Sequence, residues 1–212
     1  AFEKETFHLT KSEIIAQLAT DSLNYDIMFK ALNDKDALVR KSVLDNLKIV
    51  PFSLESEYRK ILKDSSYTNV ELALDILAKN FPENIDAYLN ITKDEFGWRG
   101  NNIRIKWLEI AIQSGKKHYF KELIDYTSLS YDFEARINAF NLLKSFNYCD
   151  DTVINNSFQA MAYWHFKLRD AAKSYIQYFA QQTEFNKLMN KLLEKSIIEQ
   201  NKKQMIKLLI QR

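Results

Sequence analysis

The 212-residue chain contains three glycines, two prolines and a single cysteine. So few breakers leave little material for the turns of a strand-rich fold, and no long alternating β-branched run is present, so the chain is expected to be all-α. Cys149 has no partner for an internal disulfide, so cysteine usage marks no oxidising compartment. No stretch approaches the roughly 18 consecutive apolar residues that cross a bilayer. The start, Ala1-Phe2-Glu3-Lys4-Glu5-Thr6, has neither a basic n-region nor an apolar h-region. A soluble chain without a membrane partner is expected, its compartment open between cytoplasmic and periplasmic. The first residue, Ala1, fits a segment of a longer chain and equally a removed initiator. Charge of one sign is also missing: 30 Lys and Arg against 28 Asp and Glu leave +2, too near neutral to argue for a nucleic-acid partner.

What the chain does contain is a repeat. With 46% hydrophobic and 27% charged residues, a body of this size buries roughly 70% of the surface its unfolded chain exposes. An apolar residue followed by a charged one recurs as Val39-Arg40, Val70-Glu71, Ile103-Arg104, Ala135-Arg136 and Leu168-Arg169, the charged members separated by 31, 33, 32 and 33 residues. Three residues after each charged position stand Val43, Leu74, Trp107, Ala139 and Ala172, and seven after it Leu47, Ala78, Ala111, Leu143 and Ile176. That spacing keeps all of them on one helix face, and a period in the low thirties fits one helix pair per unit. The expected architecture is an α-solenoid of about six antiparallel helix pairs, running as one domain over residues 1–212. Such folds act through extended surfaces.

Local signals place the helices. Thr10 with Glu13 and Thr68 with Glu71 have capping-box spacing, and Ser53 is placed to cap a helix carrying Glu55 and Glu57 in its first turn. A helix is expected over Leu23–Leu32, and the polar turn Asn33-Asp34-Lys35-Asp36 leads into one over Val39–Leu47, stopped by Pro51. Pro82 opens a helix towards Thr92. Ile103, Trp107, Ile110 and Ala111 mark a further helix, with Gly115 as the left-handed residue after it. Later helices are expected over 117–126, 132–146, 151–163, 167–181, 184–199 and 202–211. The last, with Met205, Ile206, Leu208, Leu209 and Ile210, is apolar enough to pack on its predecessor or to meet another domain.

Catalytic signatures are scarce. His8, His118 and His165 form no H-E-x-x-H and no spaced ligand pair, so neither a metal site nor a cofactor is expected in this chain. His165, in Tyr163-Trp164-His165-Phe166, reads as a packed or surface-tip histidine. Cys149 has carboxylates beside it at Asp150 and Asp151, which raise a thiol's pKa and make it a poor nucleophile. Neither a phosphate-binding G-x-x-x-x-G-K-[ST] nor a G-x-S-x-G is present. Gly97-Trp98-Arg99-Gly100 matches a bare G-x-x-G, whose nucleic-acid version belongs to a mixed α/β module. From residue 184 onward seven basic residues, Lys187, Lys191, Lys195, Lys202, Lys203, Lys207 and Arg212, face three glutamates, Glu184, Glu194 and Glu199. Their spacing is that of a solvated helix face. The candidate contact surface is the irregular stretch 94–102, where Phe96, Trp98 and Arg99 stand beside Asn101 and Asn102 with the aromatic-plus-arginine character of interface hot spots. A second reading has Trp98 folding back over the repeat junction while the glycines only turn the chain.

Asn33-Asp34-Lys35-Asp36-Ala37-Leu38-Val39-Arg40, followed by Val43, Leu44 and Leu47, resembles a HEAT-type repeat, with an Asp-rich turn before Val-Arg on the inner helix. More narrowly, Lys11–Leu32, Leu32–Leu47, Leu62–Pro82 and Gly100–Ile112 resemble the C-terminal HEAT-like helical domain of aminopeptidase N-type zinc metallopeptidases, especially bacterial ones. The resemblance implies a non-catalytic domain that covers a catalytic domain of the same parent chain and gates peptide access. The zinc and its H-E-x-x-H helix would then lie upstream, with the peptide substrate bound in the parent. It transfers no substrate-contacting residue, because no match is residue-for-residue. Two alternatives stand beside it: a free-standing HEAT-like scaffold binding a protein partner, and a nucleic-acid-binding HEAT-like domain using the basic tail.

Overall fold

The computed structural model describes residues 2–19 and 21–182. The helices expected over 184–199 and 202–211, and with them the basic tail, lie outside the described residues. Eleven α-helices and five short 3-10 helices, with no strand, make up the secondary structure of the described residues. The all-α expectation is met.

Contacts gather the described residues into two compact units, one of residues 2–98 and 102–117 and one of 99–101 and 118–182. The first holds seven helices: α1 (His8–Leu18), α2 (Tyr25–Leu32), α3 (Ala37–Asn46), α4 (Glu55–Ile61), α5 (Tyr67–Asn80), α6 (Ile85–Ile91) and α7 (Asn102–Gln113). The odd-numbered helices pack in series, α1 on α3, α3 on α5 and α5 on α7, while α2, α4 and α6 pack beside them. The repeat marks explain the series. Val39, Val70 and Ile103 are buried, and so are Val43, Leu74 and Trp107 one turn on. Each fully buried aliphatic side chain contributes roughly 1.5–3 kcal/mol.

Polar ties cross the same seams. Ser42 Oγ donates to Ser12 O at 2.6 Å, Asn69 Nδ2 to Ala37 O at 3.0 Å and Asn102 Nδ2 to Glu71 Oε2 at 2.5 Å. These pairs are 30, 32 and 31 residues apart, so the sequence period reappears as a hydrogen-bond period. A 3-10 turn precedes each of α2, α4 and α6, at Ser22–Asn24, Phe52–Leu54 and Pro82–Asn84.

The helix starts depart from several expectations. Asp36 caps α3 by accepting from Leu38 N at 2.8 Å, and Pro82 opens its turn as expected. Thr10, however, lies inside α1: Glu5 Oε1 already accepts from the N–H groups of Thr6 and Phe7, and the helix begins at His8. Ser53 lies inside the 3-10 turn closed by Leu54 N on Pro51 O, so it caps nothing. Thr68 sits in the first turn of α5, and Glu71 reaches Asn102 rather than back to a cap. Pro51 does not stop α3, which ends at Asn46 where Leu47 leaves helical geometry. Gly115 has φ +95°, and Lys116 N donates to Ala111 O at 3.0 Å, closing α7 in the six-to-one pattern of a left-handed C-terminal cap.

The second unit holds α8 (Phe120–Asp125), α9 (Phe133–Ser145), α10 (Asp151–Met161) and α11 (Phe166–Ala180). Its helices α8 and α11 pack on α9, and α10 packs on α11. Ala135, Ala139, Leu143, Leu168, Ala172 and Ile176 all point inward. Asp150 caps α10 through Val153 N at 2.9 Å, and Tyr175 Oη donates to Tyr148 O at 2.7 Å.

Candidate functional site

Ten residues, 92–101, join α6 to α7, against four between α2 and α3 and five between α4 and α5. Long connections held on a fixed scaffold are frequent places for contacts. Within the first unit the start of this connection is held firmly. Thr92 is buried and its Oγ1 donates to Tyr88 O at 2.9 Å, while Glu95 N donates to Thr92 O at 3.1 Å. Arg104 N donates to Phe96 O at 3.3 Å, and Arg104 Nη1 to Lys93 O at 3.1 Å.

The Arg104 guanidinium lies 4.2 Å from the Trp107 ring centre and 5.9 Å from that of Phe96. Trp107 in turn anchors its indole N–H on Leu89 O at 2.8 Å. Gly97 takes φ +89°, and a Cβ there would come within 2.4 Å of Asn102 Oδ1. Only glycine fits that turn.

This scaffold leaves Phe96 50% exposed and Trp98 68% exposed. Trp98 therefore does not fold back as a cover. Asn102 is half-buried and committed to Glu71, which makes it a structural residue of the seam. In the second unit, Arg99 is exposed, Gly100 O accepts from Asn138 Nδ2 at 3.0 Å, and Asn101 is half-buried with φ +47°. Of the five residues singled out from sequence, Phe96, Trp98 and Arg99 present their side chains to solvent.

Chemistry elsewhere is sparse. Burial, with Asp150 and Asp151 adding to it against a hydrogen bond from Tyr175, pushes the Cys149 thiol up to about 11, so little thiolate exists at neutral pH. Among the described residues no three His, Cys, Asp or Glu side chains gather as metal ligands. No helix of the described residues is long and apolar enough to cross a membrane. A shallow cavity of about 460 Å³ in the first unit, lined by Ala19, Tyr25, Asn46, Leu47, Lys48 and Ile49, brings together no acid–base pair.

Two arrangements escaped the reading of the sequence. In the first unit Arg40 grips Asp64 with two hydrogen bonds, Nε to Oδ2 at 2.5 Å and Nη2 to Oδ1 at 2.7 Å. Burial raises the Asp64 carboxyl, but the bonds from Arg40, Ser66 N and Asn69 outweigh it and hold the group below its ordinary value. In the second unit Arg136, at the same place in the repeat, is 1% exposed and has no such mate. The signal was available: Asp64 stands three residues before α5, and Tyr163 stands three residues before α11.

No family model matches the chain, and no curated protein and no solved structure matches it either.

Proposed function

We propose that this chain is a non-catalytic helical-repeat module, an α-solenoid of the HEAT type, that binds a protein surface through the tip of the α6–α7 connection. The observation that carries the reading is the exposure of Phe96 and Trp98 on a connection whose backbone is fixed by Arg104, Thr92 and Gly97. A rigidly presented aromatic side chain loses little conformational entropy on docking, which is why such residues dominate interface energetics. The serial packing of α1, α3, α5 and α7, with polar ties about one period apart, supports the solenoid part of the reading.

A photo-crosslinking residue placed at Trp98 tests it. One protein captured at that position, and not from a crosslinker placed at the exposed Lys63, would support the module. Equal capture from both positions would overturn it.

A narrower form has the partner as the catalytic domain of a zinc aminopeptidase in the same parent chain, with this module narrowing access for peptides. What supports it is the resemblance of four segments, whose described residues apart from Gly100 and Asn101 fall on helices or helix junctions of the first unit. The parent reading frame decides: an H-E-x-x-H upstream is required, and its absence removes the narrower form while leaving the module.

A further inference from the structure

In the second unit, Arg136 projects from the first turn of α9 into a nearly sealed position, 1% exposed. Its Nε donates to Thr127 O at 3.1 Å, and the centre of its guanidinium lies 5.5 Å from the ring of Tyr163. Nη2 is buried and has no hydrogen-bond partner, and no carboxylate pairs with the guanidinium among the described residues. A buried cation without a counter-charge is costly, several kcal/mol per ion even after relaxation.

Tyr163 belongs to an aromatic cluster. The α10–α11 connection, residues 162–165, carries Tyr163, Trp164 and His165, and Phe166 opens α11. Phe133 stacks on His165 at 3.8 Å between ring centres and meets Trp164 edge-on at 6.2 Å. Arg169 Nη1 fixes the connection by donating to Trp164 O at 2.9 Å and to Tyr163 O at 3.2 Å. Trp164 is 70% exposed and Phe166 56% exposed. His165 Nδ1, beneath them, is a second buried nitrogen without a partner.

The repeat shows what is missing. Three residues before α5, Asp64 supplies the carboxylate for Arg40; three residues before α11, Tyr163 supplies only a ring. We propose that the missing carboxylate comes from a partner: Phe133, Trp164 and Phe166 form a docking surface for an acidic peptide segment. Its carboxylate takes Arg136 Nη2 after the Tyr163 ring swings aside, and its apolar neighbours lie on the exposed rings of Trp164 and Phe166, with the half-buried Phe133 at their edge.

Charge complementarity selects the occupant. The guanidinium carries one positive charge and both N–H groups of Nη2 are open in an apolar surround, which matches a singly charged carboxylate, whereas the second charge of a phosphate dianion would be desolvated without compensation. The surface lies on a different unit from Trp98, so the two readings fail separately.

The test uses the full chain carrying Trp98→Phe and Trp107→Phe, titrated with the blocked peptide acetyl-Leu-Asp-Phe-amide and with its Asn twin, read by Trp164 fluorescence. The acidic peptide should bind about tenfold or more tighter than the Asn twin, the margin of one charge-assisted hydrogen bond. Arg136→Met should erase that margin while leaving the Asn peptide unchanged. Trp164 is the reporter, so Phe166→Ala tests the apolar flank and should weaken both peptides alike. If Arg136→Met does not fold, Tyr163→Asp, which supplies an internal carboxylate, should erase the margin instead. Equal binding of the two peptides, no binding of either up to about 1 mM, or a tenfold preference that survives the removal of Arg136 would overturn the proposal.

Discussion

Arg40 and Arg136 occupy the same position of the repeat in two different units, and their surroundings have diverged. Arg40 lies between Asp64, which it holds with two hydrogen bonds, and Asp34 O, which accepts from its Nη1 at 2.7 Å. Arg136 keeps one backbone acceptor and one aromatic face, and burial pushes its pKa below the ordinary arginine value. The contrast separates two uses of one residue type. The first guanidinium closes a seam within the chain. The second is kept in an apolar shell where its charge meets no carboxylate, an arrangement that costs desolvation and leaves Nη2 without an acceptor.

Removing Arg40 should therefore have the largest effect. The Asp64 side chain is only 2% exposed, so Arg40→Met leaves a buried carboxylate unpaired. It should cost about 3–5 kcal/mol, measured by urea unfolding with Trp107 as the reporter in a Trp98→Phe, Trp164→Phe background. A loss below about 1 kcal/mol would show that the pair behaves like an exposed ion pair and would dissolve the comparison.

Acid should narrow that gap. The Asp64 carboxyl is held below its ordinary 3.8 in the folded chain. The stabilisation it brings is complete above that ordinary value and is lost as pH falls through the lower folded value. In Arg40→Met the same carboxyl, buried and unpaired, takes up its proton more readily and the penalty disappears. The deficit of the variant should thus be greatest near neutrality and shrink below about pH 4. A deficit constant from pH 7 to pH 3 would mean that lost packing of the arginine stem, not charge, set its size.

The sequence reveals the two arginines but not their difference, and the reason is physical. Burial of the apolar marks follows from helical spacing alone, and Val39, Val70, Ile103, Ala135 and Leu168 are all buried as that spacing requires. The helices expected over 132–146, 151–163 and 167–181 are found at Phe133–Ser145, Asp151–Met161 and Phe166–Ala180 for the same reason. Caps were less legible. Thr10, Ser53 and Thr68 each have a capping sequence, yet the helix start depends on which acceptor reaches the free N–H groups first, and Glu5 and the 3-10 turn at Phe52–Leu54 were invisible locally. At the candidate site, the two glycines of the 94–102 stretch marked the connection. The diversion of Asn102 to Glu71 needed knowledge of what lies one period away.

Arg136→Met should have a small effect, because a guanidinium without a carboxylate is replaced by a side chain of similar reach. Stability of the second unit should stay within about 1 kcal/mol of the parent or rise, as with other buried charges exchanged for apolar residues. It is read by urea unfolding with Trp164 as the reporter in a Trp98→Phe, Trp107→Phe background. A loss of about 3 kcal/mol or more would mean that Arg136 has a strong mate in solution and that the two arginines are alike after all.

The smallest effect isolates the ring over Arg136. Tyr163→Leu keeps apolar cover but removes the π face, which at 5.5 Å attracts the guanidinium. It should cost about 0.5–1 kcal/mol more in the parent chain than in Arg136→Met, where no cation remains to be attracted. A double-mutant cycle measures that difference directly. A coupling of zero would make Tyr163 a passive cover, free to leave when a partner arrives. A coupling near 2 kcal/mol would mean that the ring replaces the missing carboxylate well enough to close the position, and the contrast with Asp64 would be one of chemistry rather than of vacancy.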